Sequence, residues 1–281
     1  MFKMQIDWKL KSFLYSVLGH LPSGTLYAVQ RYVTGRSKVR ATAISPNWLF
    51  HEENLINSGS KRLIEFGAGK SLIQNIYLSK LSIEQTLVDL FRMVDIDQVN
   101  DAIAALIALD VDIDGRPVNS LEDLKNFYGI DYRAPVDMRN TKFESDRFDI
   151  CISTNTLEHI SEPDIRAILA ELFRILKPGG RISAKIDYSD HYAHTDKKIG
   201  GMNFLQYSAE QWQRHNHDNH YQNRLRHGHF KKLFDESGYL PNKAKAADYE
   251  ENIPAHLNEN ILCHDGDDAA LSGYFDLQVP N

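Results

Sequence analysis

"EFGAGKSL", residues 65–72, is where the chain declares its architecture. Its tail, Gly69-Lys70-Ser71, has the form that closes a phosphate-binding loop. Such a loop needs another glycine five residues before the second, so that backbone N–H groups can wrap the phosphates. That position is Ile64, inside an apolar run. A branched side chain there neither permits the turn nor exposes the N–H groups, so the tail carries no triphosphate site. Read from its front, the stretch is a strand end at Glu65 followed by two glycines, Gly67 and Gly69. That is a tight turn at which backbone can approach a ligand closely. In folds of this kind an acidic residue at the end of the next strand bonds ribose hydroxyls. Asp89 lies 22 residues beyond Gly67. A nicotinamide-dinucleotide fingerprint would place a third glycine at position 72, where this chain has Leu72.

The flanking segments agree with a strand at this turn. RLIEF, 62–66, is a short apolar strand, and LSIEQTLVDL, 81–90, contains the next. Residues 93–109 read as a helix, and a second starts at Asn119 or Ser120. FDICIST, 148–154, is apolar on both faces, as a buried parallel strand requires. Ser161-Glu162-Pro163-Asp164 opens a helix with a Ser cap and Pro in its first turn. That helix is expected to run to Lys177, stop at Pro178-Gly179-Gly180 and give way to a strand in RISAKID, 181–187. Helices are expected around 208–214 and 222–237, with two last strands near 242–248 and 271–279. Alternating strands and helices predict an α/β, Rossmann-like, mostly parallel seven-stranded sheet with helices on both faces.

At 281 residues, 42% of them hydrophobic and 25% charged, the chain can bury a core without metal or disulfide support. Cys151, inside an apolar run, reads as a small core residue; Cys263 is far from it, and no disulfide framework emerges. The net charge of −6 hides an asymmetry: residues 1–40 hold seven Lys or Arg against one acid, Asp7. The acidic remainder argues against a broad nucleic-acid surface. Residues 6–34 carry apolar residues at helical intervals, divided by Pro22-Ser23-Gly24 into two helices. With Lys3, Lys9 and Lys11 beside it, the first helix suits either a membrane surface or a cap on the main domain. No run reaches the roughly 20 apolar residues of a membrane span. No secretory signal is visible, so the cytoplasm is the expected compartment. The expected organisation is a helical extension over 1–45 and a main domain over 46–281, with 188–240 as a substrate-binding insertion.

Residues 61–187 resemble the class I S-adenosylmethionine-dependent methyltransferases, especially their small-molecule branch. The pieces that match, in the family's order, are IEFGAG, LVDL, VDM, FDICISTNTLEHI and LKPGGRISAKID; NTLEHI followed by a helix and LKPGG is the most specific. The resemblance implies S-adenosyl-L-methionine as cofactor. It sets Glu65 and the Gly67–Gly69 turn beside the cofactor's amino acid part and Asp89 on its ribose. Asp137 and Met138 would flank the adenine, and Asn155 and Thr156 would lie near the methionine portion and the transferring methyl. The chain departs from the pattern at Ser71, where many members have a third glycine, and in a longer stretch between Asp89 and Asp137.

The chemistry is a positioning task, because the sulfonium already makes the methyl electrophilic. A hydroxyl acceptor gains from a base, and histidine suits that near neutral pH. His159, after the FDICIST strand, and His191 and His194, after RISAKID, sit on loops where open α/β sheets bind ligands. Seven histidines fall between 191 and 229, but their spacing fits no standard zinc pattern, so no metal is expected. NHYQNRLRHGHF, 219–230, resembles a segment of bacterial relatives associated with surface-sugar biosynthesis. It offers Asn223, Arg224 and Arg226, together with Tyr188, as candidates for binding a sugar or its phosphate. The expected activity is methyl transfer to a small-molecule or saccharide acceptor at oxygen. Two alternatives stand beside it: a cofactor-binding protein without turnover, and a peripheral membrane methyltransferase acting on a lipid-linked acceptor.

Overall fold

A computed structural model describes residues 5–18, 39–251, 253–254, 256–257 and 266–281. Cys263, Lys3 and the second N-terminal helix expected across 26–33 lie outside the described residues. Seven strands form one sheet: β1 Arg62–Phe66, β2 Glu84–Val88, β3 Ile130–Arg133, β4 Phe148–Thr154, β5 Leu176–Asp187, β6 Leu240–Tyr249 and β7 Ala270–Gln278. Their spatial order is β3-β2-β1-β4-β5-β7-β6. The pairs from β3 through β5 are parallel, and β7 runs antiparallel to both β5 and β6. The order reverses between β1 and β4, so the loops after them diverge and leave a crevice at the carboxyl edge.

Helices cover both faces. On one, α2 Pro46–Ser58, α3 Ile73–Leu78, α4 Ile96–Ala108 and α5 Leu121–Tyr128 bury Leu55, Ile76, Ile103 and Leu124 against Leu63, Leu87 and Ile150. On the other, α6 Glu162–Ile175 and, after the short α7 Ala209–Gln213, α8 His227–Glu236 bury Ile165, Leu169, Phe230 and Phe234 against Ile64, Cys151, Ile182 and Phe275. Local chemistry sets the helix ends. Ser45 accepts from the Asn47 N–H ahead of Pro46, and Gly59 closes α2 at φ +63°. Ser120 and Asp123 form a reciprocal cap on α5, and Ser161 accepts from the Asp164 N–H.

The expected sheet is present, with differences at its margins. β3 was not anticipated. It is a four-residue edge strand whose Asp131 and Arg133 pair with each other in solvent, so it lacks the apolar run of a central strand. β5 begins at Leu176, ahead of the Lys177-Pro178-Gly179-Gly180 stretch, which is an irregularity within the strand: Phe148 pairs with Leu176, but Ile150 pairs with Arg181. α8 begins at His227, because residues 222–226 are extended and spend their side chains on neighbouring backbone.

The N-terminal helix α1, Trp8–Leu18, joins the segment 190–215. Trp8, Tyr192, Phe204, Leu205 and Trp212 make a third apolar cluster, and the Trp8 N–H donates to Asp196 Oδ2 at 2.9 Å. Its opposite face carries Leu10, Phe13, Leu14 and Val17, exposed at 43–63%. No described helix is long and apolar enough to cross a membrane.

Behind the sheet's centre, His51 of α2 is fully buried between Ser183 Oγ at 2.8 Å and Thr154 Oγ1 at 2.9 Å. Burial pushes its pKa down to about 3. The folded state therefore refuses a proton that the unfolded chain accepts below about 6.5. Stability is full above that value and falls as the pH drops through it. Between pH 7 and 5 this residue removes about 2 kcal/mol. Urea midpoints should fall more for the native chain than for His51→Gln over that interval; parallel losses would refute the assignment.

Candidate active site

The turn after β1 requires glycine twice, for different reasons. Gly67 holds φ +73°, and a Cβ there would meet Thr156 Cγ2 and Oγ1 at 2.5 Å. Gly69 holds φ +77°, yet a Cβ there would have nothing within 4 Å. The first glycine lets the turn pass under the loop after β4, and the second faces open space. Glu65 lies beneath this turn, 3% exposed, accepting from Gln74 Nε2 at 3.1 Å and Asn75 Nδ2 at 2.6 Å. Burial pushes its carboxyl up to about 7. It braces α3 against the turn and does not line the cleft, so the direct cofactor contact expected of it gives way to a supporting role.

Asp89 immediately follows β2, opposite the glycines. Its carboxylate accepts from Tyr132 Oη at 2.7 Å, and its carbonyl accepts from the Val136 N–H at 2.9 Å. Burial raises its pKa, while Tyr132 and the N–H groups of Gly69 and Ala68 oppose the rise. Strand end and glycine turn thus share one carboxylate. Beyond it opens a cleft of about 540 Å³ lined by Gly67, Asp89, Asp137, Met138, Thr156 and His159 among others, a volume suited to a nucleoside-sized ligand. Met138 is 6% exposed at its inner side. At its rim Asp137 is clamped by Arg139, which also reaches Asp164 at 2.8 Å, and Arg139 holds the Asp137 carboxyl below the usual range. Leu90 and Phe91, 52% and 71% exposed, add an apolar wall that the expectations missed. The sequence signal was there, since apolar residues follow Asp89 where a surface loop would be polar.

The loops after β4 and β5 meet beside this cleft. Asn155 adopts φ +51° and points away, its Oδ1 accepting from Lys185 Nζ at 2.7 Å, whereas Thr156 lines the cleft. His159 Nδ1 lies 2.8 Å from the Tyr221 carbonyl oxygen. A carbonyl only accepts, so Nδ1 carries the proton and Nε2 keeps its lone pair. Burial and the neighbouring His191 lower the His159 pKa. His191 packs edge-on against His159, ring centres 4.9 Å apart, and stacks on His194 at 5.0 Å. Behind them Glu158 is 1% exposed, and burial pushes its carboxyl up to about 8.

The four expected acceptor-binding residues are framework instead. Arg226 is fully buried and donates to the carbonyls of Tyr188 at 2.6 Å and Ala270 at 2.5 Å. Tyr188, 2% exposed, stacks on Phe230. Asn223 donates to the carbonyls of Leu157 and Ile160, each at 2.8 Å, and Arg224 to that of Tyr207 at 2.6 Å. A buried guanidinium has to spend its donors, and here backbone takes them. None of the four lines the cleft.

The crevice fits S-adenosylmethionine on its own features: an open glycine turn, a carboxylate at the neighbouring strand end and an apolar slot past Met138. Replacing Asp89 by Ala strands the Tyr132 hydroxyl and removes an acceptor worth about 1.5–3 kcal/mol. Affinity for S-adenosylhomocysteine should fall tenfold to about a hundredfold. Equal calorimetric affinities for both chains would remove Asp89 from the site.

A family model described as a methyltransferase domain matches residues 98–184. No curated protein matches the chain. Among solved structures, a Burkholderia thailandensis 1,6-didemethyltoxoflavin N1-methyltransferase with bound 1,6-didemethyltoxoflavin and S-adenosylhomocysteine is similar at 13% identity; the match covers 99% of this chain and 94% of that one, with TM-score 0.51. An S-adenosylmethionine-dependent methyltransferase from Clostridium acetobutylicum matches at 9% identity over 92% of this chain and 98% of its own, with TM-score 0.48. At such identities the likeness is one of fold. The family match starts after β2, and the glycine turn and Asp89 supply the half of the site that it leaves out. Residues 98–184 thus carry a methyltransferase domain match, set in a sheet of the methyltransferase-like, Rossmann-type order.

Proposed function

We propose that this methyltransferase methylates an oxygen of a small polar molecule or saccharide, with His159 as the base. The observation that carries the reading is the His159 ring: its Nδ1 proton is committed to the Tyr221 carbonyl, its side chain lines the cleft, and its pKa is lowered. It is thus neutral near pH 7 with Nε2 ready to accept. S-adenosylmethionine, when bound, would supply an electrophilic methyl on its positive sulfonium to the acceptor oxygen, the electrons of the broken C–S bond returning to sulfur. Nε2 of His159 takes the hydroxyl proton. Asp89 holds the ribose, Asp137 and Met138 take the adenine, and Thr156 stands beside the methionine portion. The segment 188–240 closes the acceptor side, where Tyr221 lines the cleft, and this favours a small acceptor over a macromolecule.

The test is release of S-adenosylhomocysteine with a panel of hydroxyl, amine and thiol acceptors. Turnover confined to hydroxyl compounds supports the reading. Turnover on amines alone overturns the oxygen assignment, and tight cofactor binding with no turnover on any acceptor favours a binding protein.

A further inference from the structure

Asp187, His191 and His194 converge at the end of β5, beside His159. Asp187 Oδ2 lies 3.7 Å from His191 Nε2 and 3.9 Å from His194 Nε2. Both separations exceed a hydrogen bond, and both fit two ligands of one ion with bonds of about 2.1 Å. On the other side of His191, ligand atoms of Glu158, His159 and His191 lie within 4.8 Å of one another. One of these groups is in an environment that protein alone leaves unanswered. His191 Nε2 is buried and has no hydrogen-bond partner among the described residues. Buried polar atoms are almost always satisfied, because an unpaired one costs a large part of its hydration energy.

The surroundings are arranged as metal ligands require. Ser189 donates to Asp187 Oδ1 from its N–H at 2.8 Å and its hydroxyl at 2.6 Å, which fixes the carboxylate and leaves Oδ2 turned to the histidines. We propose that Asp187, His191 and His194 bind one divalent cation beside the acceptor end of the cleft. A set rich in imidazole selects zinc or manganese over calcium or magnesium. The ion pins the loop after β5 to the end of that strand and places positive charge beside His159. The site escapes a sequence reading because Asp187, His191 and His194 lie within eight residues at a spacing that fits no standard zinc pattern.

The full chain, stripped with a chelator and dialysed, is titrated with Zn²⁺ and with Mn²⁺ alone, by calorimetry and by thermal shift. Expected are one ion per chain and a Tm that rises with the metal. His191→Ala should abolish both effects, and His194→Ala, at a half-exposed position, should weaken binding at least tenfold with its circular dichroism intact. His256→Ala, exposed and remote in sequence, serves as the control and should bind as the native chain does. Absence of stoichiometric binding to the native chain overturns the proposal, as does native-like binding by folded His191→Ala and His194→Ala. None of these readouts involves methyl transfer. S-adenosylhomocysteine titrated in the presence of chelator tests the cofactor site separately.

Discussion

Gly67→Ala should cost the enzyme about a thousandfold in affinity for S-adenosylhomocysteine, an estimate that combines two strains. A non-glycine residue at φ +73° costs about 1–2 kcal/mol. Its Cβ would also stand 2.5 Å from Thr156 Cγ2 and Oγ1, so Thr156 or the turn has to move. Forced overpacking of that kind costs about 1–3 kcal/mol. The cheapest relief is displacement of the turn, and the turn is the ligand's floor. The double variant Gly67→Ala/Thr156→Gly removes the clash and keeps the backbone strain, so it should recover most of the loss. Gly69→Ala separates space from strain in the opposite sense. With nothing within 4 Å of its Cβ, it should fold with a stability loss of about 1 kcal/mol while weakening the ligand that fills the space. Titration calorimetry alongside thermal unfolding reads both. Native-like affinity in Gly67→Ala would refute the assignment of the turn.

His159→Ala should lower kcat by about 10²–10⁴, the usual contribution of a positioned base, with S-adenosylhomocysteine affinity unchanged within a few-fold. The imidazole has two jobs that can be separated. Nδ1–H holds the Tyr221 carbonyl at 2.8 Å, and Nε2 takes the proton. His159→Gln can still donate to Tyr221 but has no comparable base, so a purely structural role would be rescued by Gln and a basic role would not. Added imidazole should restore part of the rate to the Ala variant. Full activity in His159→Gln would leave the residue as scaffold only.

Much of the architecture was readable because its signals are local. RLIEF ends where EFGAG must turn, Asp89 closes the next strand, and Ser161, Pro163 and the apolar period of α6 act within a few residues of themselves. α2 carried the same kind of signal, a Ser45-Pro46 start and a Gly59 stop, and went unclaimed. β3 was hidden because an edge strand can alternate charge with Ile130 and Tyr132 and still pair along one side. The acceptor side was misread for a different reason. Arg224 and Arg226 look like surface cations in sequence, but backbone carbonyls folded against them consume their donors. Nothing in NHYQNRLRHGHF reveals that Ala270 and Tyr188 will stand there. Glu158 is similar: the sequence pairs it with His159, and only the fold brings His191 up to it.

A crystal structure of the enzyme with S-adenosylhomocysteine would decide whether the sheet's carboxyl edge is the cofactor site. The ligand should lie over the Gly67–Gly69 turn with both ribose hydroxyls within hydrogen-bond reach of the Asp89 carboxylate, its base past Met138 and its sulfur toward Thr156 and His159. A ligand bound elsewhere, or one whose sugar leaves Asp89 bonded to Tyr132 and backbone alone, would contradict it.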